Sequence, residues 1–577
     1  MEMEAIIKAA RGEVLPDLLL ANALVVNVFT GEVLEKNVAL KNGLIAGVGD
    51  YDQGEEVFDL EGKYLIPGLL DAHIHLESTM LNPENFARAA LLHGTTAVVA
   101  DPHEIVNAAG MEGLFYMLEA SRDLPLDIYY TIPSCVPATH METAGGHLSR
   151  EEIEEAFEIY RDSPALGEMM NFPGVCFQDP QVMAKLKAAR ERNKLIDGHA
   201  PLLGGKDLNA YISGGITTDH ECTHPEEALE KLRLGMKILI REGSAARNLL
   251  DLLPLINEKN APHIMFCCDD RHPGDLLYEG EIDQILRKGV GAGLDPVLAV
   301  RTATLNTASH YGLSRLGAVA PGYQGDLVVV NNLQDFQVEK VFKRGRLVVQ
   351  GGEILWQADQ KVEGKVSDFE KKLLKTVQIP DLEGKLSMEV PPSVSQARVI
   401  QVFPQQILTS GLLVSREEVM EDREISRVAV VERYGKKGNV ALGLVKGFGP
   451  LKGALASTVA HDSHNLIIVG QEERDMEAAA LKIAEMGGGL VVVSGGEVLA
   501  DLPLPLGGIM SREEAVVVAA RHEKLLEKAR QIGVKLPSPF MTMSFLALPV
   551  IPQLRITDRG LVDVDRFQFV DLWLKED

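Results

Sequence analysis

The stretch "PGLLDAHIHLESTM", residues 67–80, runs through apolar and small residues into Asp71, then places His73 and His75 two positions apart before Glu77. The apolar run is typical of a buried strand, and side chains two positions apart in a strand point to the same side. Two imidazoles on one side of a strand end suit a pair of metal ligands. The alternative is a half-buried strand whose histidines bond to backbone groups, so the rest of the chain must decide.

The region that follows repeats short apolar runs and helical patterns. The runs "TTAVVAD", "DIYYTIPS", "NKLIDGHA", "GITTDHE", "MKILIREG" and "HIMFCCDD" alternate with stretches such as "EEIEEAFEIYRD" and "PQVMAKLKAARERN". Strand–helix repetition over about 250 residues predicts an α/β fold with a parallel sheet, and a (β/α)8 TIM-like barrel has the matching length. In such a barrel the carboxyl ends of the strands form the active-site face.

Both flanks of this region consist of short β-rich runs broken by turn signals such as "TG" and "NG". Two such pieces around a central domain predict one small β-sandwich built from both flanks. A charge-rich joint containing "PP" precedes a further C-terminal α+β domain. We therefore expect the N-terminal portion of the sandwich at residues 1–66, the barrel at 67–316, the returning portion of the sandwich at 317–357, a linker at 358–397 and the C-terminal domain at 398–577.

Composition narrows the class of protein. A chain of 577 residues predicts roughly three or four domains. The net charge of −26 argues against a nucleic-acid partner, since such binders carry a basic face. Five cysteines in so long a chain favour a reducing, cytoplasmic compartment. The N-terminal residues lack the pattern of a secretory signal, and no apolar window is long enough for a membrane span.

Polar residues end several of the apolar runs. Glu168 lies in "GEMMN", His199 in "IDGHAP" and His220 in "TTDHE", while Asp269 and Asp270 end "FCCDD". Each alone is more often a structural group, but together with the opening histidines they predict a metal centre. Imidazole and carboxylate ligands suit zinc, manganese or iron rather than calcium. One carboxylate bridging two metals, each with three ligands, would use the whole set.

This pattern resembles the amidohydrolase superfamily: His-x-His on the first barrel strand, a carboxylate on the fourth, one His each on the fifth and sixth, and Asp on the eighth. The stretch "PGLLDAHIH", which leads into the barrel, and the stretch "PGYQGDLVVV", which leaves it, also resemble that superfamily. More narrowly, "HIHLESTM", "VVADPHEI", "GEMMNFPGV", "DDRHPGDL" and "STVAHDSHN", in this order, resemble the adenine deaminase family. The resemblance covers nearly the whole chain.

The resemblance implies that adenine and water react to give hypoxanthine and ammonia, through hydroxide formed at a two-metal centre. Its implied ligands are His73, His75 and Asp269 on one metal, His199 and His220 on the other, and Glu168 between them. It favours Mn2+, with Fe2+ or Zn2+ as alternatives. Another heterocyclic amine or a cyclic amide is the alternative substrate, and a homo-oligomer is the default assembly.

A few residues depart from the family pattern, and others exclude the metal sites of related enzymes. Cys268 and His224 stand where the family pattern has Thr, both beside ligands rather than on them. Related ring-opening hydrolases bridge their metals with a carboxylated lysine, but Lys185 and Lys187 lie in a helical pattern. Related one-metal deaminases carry Glu three residues after the strand-five His, where this chain has Leu202. A Glu-bridged, two-metal centre is what remains.

Other residues receive less specific roles. Asp269 is expected to take the water proton, with Glu168 and His103 as further catalytic residues. Candidates for gripping the purine are His103, Glu104, Glu77, Ser134 and Asp270. Glu77, His103, Glu104 and Ser134 could equally cap a helix or orient a ligand, and Asp270 could serve as an acceptor for a ligand His.

Two further features lie outside the ligand set. Arg241 is expected to form a structural salt bridge at the end of the seventh strand. In the C-terminal domain, His461, Asp462 and His464 form a polar island between two apolar segments. This island is either a loop that reaches the barrel mouth or a polar turn within its own domain.

Overall fold

The computed structural model describes residues 2–357, 367–404 and 406–575. Residues 358–366 of the predicted linker lie outside the described residues, as do residues 1 and 576–577 of the predicted terminal domains. The N-terminal region contains α1 (Glu2–Ala10), β1 (Leu18–Asn27), β2 (Glu32–Lys41), β3 (Leu44–Gly49), β4 (Glu56–Asp59) and β5 (Tyr64–Pro67). Strand β1 pairs antiparallel with β2 and parallel with both β4 and β5.

The central region begins with parallel strands whose residues are mostly buried. They are β6 (Leu69–Ile74), β7 (Thr95–Ala100), β8 (Asp127–Tyr130), β9 (Ala165–Met169), β10 (Leu195–Gly198), β11 (Thr218–Asp219), β12 (Lys237–Arg241) and β13 (Ile264–Cys267). Strand β7, "TTAVVA", is buried at every position, as expected for parallel strands covered on both faces. The predicted α/β class is therefore confirmed.

The parallel strands do not form one continuous ladder. In the described residues they fall into three sheets, β6-β7-β8, β9-β10 and β11-β12-β13. Single parallel bridges, Ile132 with Leu166 and Ile74 with Asp269, connect β8 to β9 and β13 to β6. Between β10 and β11 the Gly198 N–H donates to the Thr218 hydroxyl at 3.1 Å. Side chains thus replace some of the backbone ladder that a closed barrel was expected to show.

Helices follow most of these strands. They are α2 (Pro83–Leu92), α3 (His103–Ala109), α4 (Met111–Ala120), α5 (Arg150–Ile159), α6 (Phe172–Cys176), α7 (Pro180–Glu191), α8 (Gly205–Ser213), α9 (Pro225–Arg233), α10 (Leu249–Leu252), α11 (Pro273–Tyr278), α12 (Ile282–Gly291), α13 (Pro296–Thr302) and α14 (Leu305–His310). Local signals explain their starts. Ser149 and Glu152 form a capping box at α5, and Asp179 caps α7 ahead of Pro180.

The chain then returns to the first sheet with β14 (Leu327–Val330), β15 (Val338–Lys343), β16 (Arg346–Gln350) and β17 (Glu353–Ile354). Strand β14 pairs antiparallel with β5, Leu327 opposite Pro67. Both flanks therefore join in one nine-stranded sheet. Because Pro67 lies two residues before β6, this pairing anchors the strand that carries the His-x-His motif.

The C-terminal region forms a nine-stranded sheet and a separate three-stranded sheet, and it contacts the central region. Its elements are α15 (Asp368–Leu373), β18 (Gln396–Val402), β19 (Thr409–Ser415), α16 (Arg416–Glu421), β20 (Ile425–Val431), β21 (Val440–Lys446), β22 (Ala454–Ser457), β23 (Leu466–Gly470), α17 (Glu473–Met486), β24 (Gly489–Ser494), β25 (Glu497–Pro503), α18 (Ala515–Gln531), α19 (Pro539–Leu546), β26 (Leu554–Thr557), β27 (Gly560–Asp563), β28 (Gln568–Val570) and β29 (Trp573–Leu574). Ser511 exchanges backbone hydrogen bonds with Met80 and Asn82, and α18 packs on α11. In the described ranges, no helix has the length and apolar character that crossing a membrane requires.

Candidate metal centre

The side chains predicted to be metal ligands lie at the carboxyl ends of the parallel strands and face one another. They are His73 in β6, His75 just after it, Glu168 in β9, His199 after β10, His220 after β11 and Asp269 after β13. All are buried except His199, whose side chain is 17% exposed. Asp269 has a φ of 60°, a left-handed conformation that Asp adopts more readily than most residues.

Glu168 lies between two groups of histidines. Its Oε1 is 3.3 Å from His75 Nε2, while its Oε2 is 2.9 Å from His199 Nδ1 and 3.2 Å from His220 Nε2. Burial opposes ionisation of this carboxyl, but the neighbouring histidines, His199 first among them, hold its pKa well below the usual value. Glu168 is therefore an ionised carboxylate whose two oxygens face different histidines.

Asp269 lies on the side of His73 and His75. Its Oδ1 is 3.1 Å from His75 Nε2 and 3.6 Å from His73 Nε2, and these two ring nitrogens are 3.1 Å apart. His75 Nδ1 donates to the Asp101 carbonyl at 2.9 Å, which directs its Nε2 towards Asp269 and Glu168. Burial and the neighbouring His220 and His75 hold the pKa of His73 well below its usual value, which keeps that ring neutral.

This donor set fits a divalent metal. Each of several groups of three, among them His73, His75 and Asp269, offers ligand atoms within 4.8 Å of one another. Neutral imidazoles and ionised carboxylates are the ligands that zinc, manganese and iron prefer. Two imidazole nitrogens and a carboxylate oxygen converging in a buried space are most simply stabilised by a cation between them.

Asp101, which sequence reasoning did not select, contacts two of the candidate ligands, Glu168 and His75. Its Oδ2 accepts a hydrogen bond from the Glu168 N–H at 2.8 Å, while its backbone carbonyl orients His75. Its Oδ1 has no hydrogen-bond partner among the described residues and lies 3.7 Å from His103 Nδ1. The position of Asp101 at the end of β7 is the signal that could have identified it.

Glu221 was also missed, and it explains the role of Arg241. The Arg241 guanidinium donates to Glu221 Oε1 and to Asp269 Oδ2, both at 2.5 Å, and to Glu221 Oε2 at 3.1 Å. Glu221 Oε1 lies 3.6 Å from both His199 Nδ1 and His220 Nε2. Burial opposes ionisation of Asp269, but Arg241 holds its pKa well below the usual value. The salt bridge expected of Arg241 therefore involves a candidate ligand.

A buried ion pair supports the loops after β10 and β11. Asp219 accepts hydrogen bonds from Ala200 N at 2.8 Å, from Glu221 N at 3.2 Å and from Lys231 Nζ at 3.0 Å. Burial raises the pKa of Asp219, but Lys231, His220 and the hydrogen bond from Cys222 together outweigh that effect, and the pKa falls to about 2. Because Ala200 and Glu221 directly follow His199 and His220, this pair positions two candidate ligands.

The polar island of the C-terminal region reaches the same site. His461 Nδ1 lies 2.5 Å from Glu104 Oε1, and His464 Nε2 bonds the other oxygen of Glu104. Asp462 Oδ1 lies 3.9 Å from His103 Nε2. Burial alone lowers the pKa of His461, but the Glu104 carboxylate raises it to about 9. Of the two alternatives for this segment, the loop at the mouth of the strands is the one the contacts support.

The remaining purine-binding candidates fall into two groups. His103, Glu104 and Asp270 line the cavity over the metal centre, and His103 Nδ1 lies 3.4 Å from Glu168 Oε1. Ser134 instead donates to the Glu168 carbonyl at 2.5 Å, and Glu77 accepts from the Ile105 N–H at 3.0 Å in α3. Neither lines the cavity. Glu77 therefore takes the capping role that was its alternative, and Ser134 braces the backbone of a candidate ligand.

Among the described residues, the carboxylates of Asp270 and Asp71 form no hydrogen bond with the side chain of a candidate ligand. The Asp270 carboxylate accepts from the Ser78 hydroxyl, and none of its hydrogen-bond partners in the described residues is a histidine. The Asp71 carboxylate accepts from the N–H groups of His73 and Cys268. Asp71 therefore joins β6 to the end of β13, which places the histidine pair beside Asp269.

The cavity is closed on one side by the C-terminal region. A cavity lies over the candidate ligands. Its C-terminal lining consists of Ile407, His461, Asp462, Phe545, Leu548 and Ile551. The cavity thus combines a charged floor with an apolar wall, an arrangement suited to a small heterocyclic ligand.

Known proteins resemble the chain in both its central and its C-terminal regions. Residues 64–348 match the family described as "Amidohydrolase family", and residues 406–568 match the "Adenine deaminase C-terminal domain".

Similarity to known relatives extends over the full length. Adenine deaminase from Desulfatibacillum aliphaticivorans is 47% identical, over 99% of this chain and 99% of that protein. Adenine deaminase from Kosmotoga olearia is 44% identical, over 100% of this chain and 99% of that protein. Adenine deaminase from Dehalococcoides mccartyi is 45% identical, over 98% and 99% respectively.

Proposed function

Because the chain belongs to the adenine deaminases of the amidohydrolase family, we infer that it hydrolyses adenine to hypoxanthine and ammonia. The position of Glu168 is the observation in the site that carries this inference. One of its carboxylate oxygens faces His75, and the other faces His199 and His220. That arrangement supports a bridge between two cations.

The family implies divalent metal ions, and we propose two per chain. The proposed ligands are His73, His75 and Asp269 for one ion, His199 and His220 for the other, and Glu168 shared between them. We propose Mn2+ as the native ion, with Fe2+ or Zn2+ as alternatives that the same ligands accept. Bound divalent cations would supply Lewis acidity and make water a stronger nucleophile at neutral pH.

The chain's own residues supply proton transfer. We propose that Asp269 accepts a proton from the water that adds to C6 of adenine, since Arg241 keeps this carboxylate ionised. Addition of the oxygen turns the C6–N1 double bond into a single bond, and N1 takes up one of the two water protons. The C6–N6 bond then breaks as the other proton passes from Asp269 to N6, so that neutral ammonia leaves and C6 keeps the oxygen as the carbonyl of hypoxanthine. Arg241 fixes the carboxylate through its other oxygen, which leaves Oδ1 facing the histidines.

His103, Glu104 and the 461–464 loop are proposed to hold the purine. His103 lies between Glu168 and Glu104, at 3.4 Å from an oxygen of each. Its ring lines the cavity, so we propose that it contacts the base. The carboxylates of Asp270 and Asp462 also line the cavity, and we propose that they help to hold the purine.

We further propose that the parallel strands function as one (β/α)8 barrel, with a β-sandwich made from both flanks. The proposed boundaries are those of the sequence expectation, residues 1–66, 67–316, 317–357, 358–397 and 398–577. We also propose that the protein is a cytoplasmic homo-oligomer that binds neither nucleic acid nor a membrane.

Ammonia release tests this function directly. Protein loaded with Mn2+ is incubated with adenine, adenosine, guanine or cytosine, and ammonia is measured. Release from adenine alone supports the proposal. Silence with adenine, together with ammonia release from another heterocyclic amine or ring opening of a cyclic amide, would reassign the substrate.

A further inference from the structure

The apolar wall of the cavity is held by a residue that does not itself line it. Ile407, Phe545, Leu548 and Ile551 form this wall. They come from separate segments, one before β19, one in α19 and one in the loop before β26. A flat heterocycle over the candidate ligands would present one face to these side chains, so their position bears on how tightly it binds.

Arg555 in β26 connects those segments. Its side chain is fully buried, and its guanidinium donates to the carbonyl oxygens of Ile551 at 2.7 Å, Phe545 at 2.8 Å, Ile407 at 2.7 Å and Pro552 at 2.9 Å. Phe545, Ile551 and Ile407 all line the cavity. One side chain therefore fixes the backbone beneath most of the wall.

In the part of the chain that the structure describes, the hydrogen bonds of the Arg555 guanidinium all go to these backbone carbonyls. Among the described residues, no carboxylate oxygen forms an ion pair with its guanidinium. Burial lowers its pKa to about 9. A buried arginine without a carboxylate partner is unfavourable for stability, but its planar head carries five N–H donors and binds four carbonyls at once, more than the three donors of a lysine allow.

The wall also contacts the polar side of the cavity. The Phe545 ring stacks on the His461 ring, with centroids 4.9 Å apart and an interplanar angle of 25°. His461 in turn bonds Glu104. A shift of the Phe545 backbone would therefore move both the apolar wall and the imidazole beside it.

We propose that Arg555 is a positioning residue for substrate affinity: through the carbonyls of Ile407, Phe545 and Ile551 it holds the apolar wall that packs on the face of the purine base. This proposal rests on the proposed function, since it takes adenine as the occupant of the cavity. It assigns Arg555 to binding rather than to bond breaking, because its guanidinium donates to backbone carbonyls and Arg555 does not line the cavity.

The test compares Arg555→Met and Arg555→Lys with the unmodified protein, all loaded with Mn2+. For Arg555→Met, KM for adenine should rise about tenfold, as expected when some of a buried apolar contact is lost, while kcat stays within about twofold. Arg555→Lys, which keeps the charge and some donors, should recover some of the affinity. Calorimetric binding of hypoxanthine should weaken in the same order, which gives a readout independent of turnover.

Arg398→Met is the matched control, because Arg398 lies in the same region of the chain and donates to a single carbonyl, that of Asp571, away from the cavity. It should leave KM unchanged. If both Arg555 variants fail to fold, Phe545→Leu tests the wall itself and should raise KM at unchanged kcat. Unchanged KM and hypoxanthine affinity in folded Arg555→Met, or in Phe545→Leu, would overturn the proposal. Failure of the unmodified protein to deaminate adenine would instead reject the proposed function.

Discussion

Glu104 and His461 are 357 positions apart in the chain, yet Glu104 Oε1 and His461 Nδ1 are joined by a hydrogen bond of 2.5 Å. Glu104 belongs to α3, directly after β7, and His461 precedes β23 in the C-terminal region. The contact brings a C-terminal segment to the edge of the candidate metal centre. The cavity is therefore completed by two regions of the chain that are distant in sequence.

Replacing Glu104 by Gln should remove the pH dependence that this contact creates. The folded pKa of His461, about 9, lies above its ordinary value of about 6.5. Stability from the contact is thus fully present below about pH 6.5 and is lost as the pH rises towards 9. Asp270 and Asp462 also face His461 and raise its pKa, so some of the dependence should persist.

Thermal unfolding between pH 6 and pH 9.5 measures this effect. The unmodified protein should lose more stability over this range than Glu104→Gln. Glu497→Gln, at an exposed position, is the control and should behave like the unmodified protein. Parallel pH curves for the unmodified protein and Glu104→Gln would contradict the assignment.

Replacing His199 by Ala should abolish turnover without unfolding the protein. The His199 side chain is 17% exposed, so its removal leaves little empty space in the core, whereas a metal ligand is lost. We expect kcat/KM for adenine to fall on the order of 10³-fold or more. His147→Ala, at a side chain that is 64% exposed, should retain activity; substantial activity in His199→Ala would rule out this ligand.

Replacing Glu221 by Gln should weaken metal binding. Glu221 pairs with Arg241 and lies 3.6 Å from His199 and His220. Side chains that contact metal ligands without binding the metal typically contribute about 10–100-fold to metal affinity. Competition with a chelator measures the loss, and Glu226→Gln, on the exposed side of α9, is the control. Equal affinities in the two variants would show that Glu221 does not act on the metal site.

Replacing Lys231 by Met should destabilise the fold. The Lys231 and Asp219 side chains are fully buried, and Lys231 also pairs with Glu227 at 2.8 Å. Removing one partner of a buried ion pair leaves an uncompensated charge and typically costs about 3–5 kcal/mol. Urea unfolding measures this loss against Lys206→Met at an exposed position. A loss no larger than that of the control would mean that Asp219 is stabilised by other groups.

The candidate ligands were predictable because two simple rules apply to them. Alternation along a strand places His73 and His75 on one side, and parallel strands bring their carboxyl ends together. These rules bring Glu168, His199 and Asp269 to the same edge as the histidine pair, while the resemblance to the adenine deaminase family selects them as expected ligands. They also predict the α/β class, although the ladder is interrupted where Thr218 accepts a backbone N–H.

The other site residues depend on contacts that sequence spacing does not encode. Glu221 follows His220 in a loop rather than in a regular strand, so alternation does not say which way it points. Ser134 was a candidate for binding substrate, but its hydroxyl reaches a carbonyl that only the fold brings near. Arg555 is buried among carbonyls from segments that lie up to 148 positions away. Such partners follow from tertiary packing.

The metal content of the purified protein and of Glu168→Gln tests the central claim most directly. We predict two equivalents of divalent metal per chain with activity on adenine, and at most one equivalent with no measurable activity in Glu168→Gln. Loading the protein with Mn2+, Fe2+ or Zn2+ in turn would identify the preferred ion. Two tightly held metals and undiminished deamination in Glu168→Gln would contradict the account, because Glu168 would then not join the two halves of the centre.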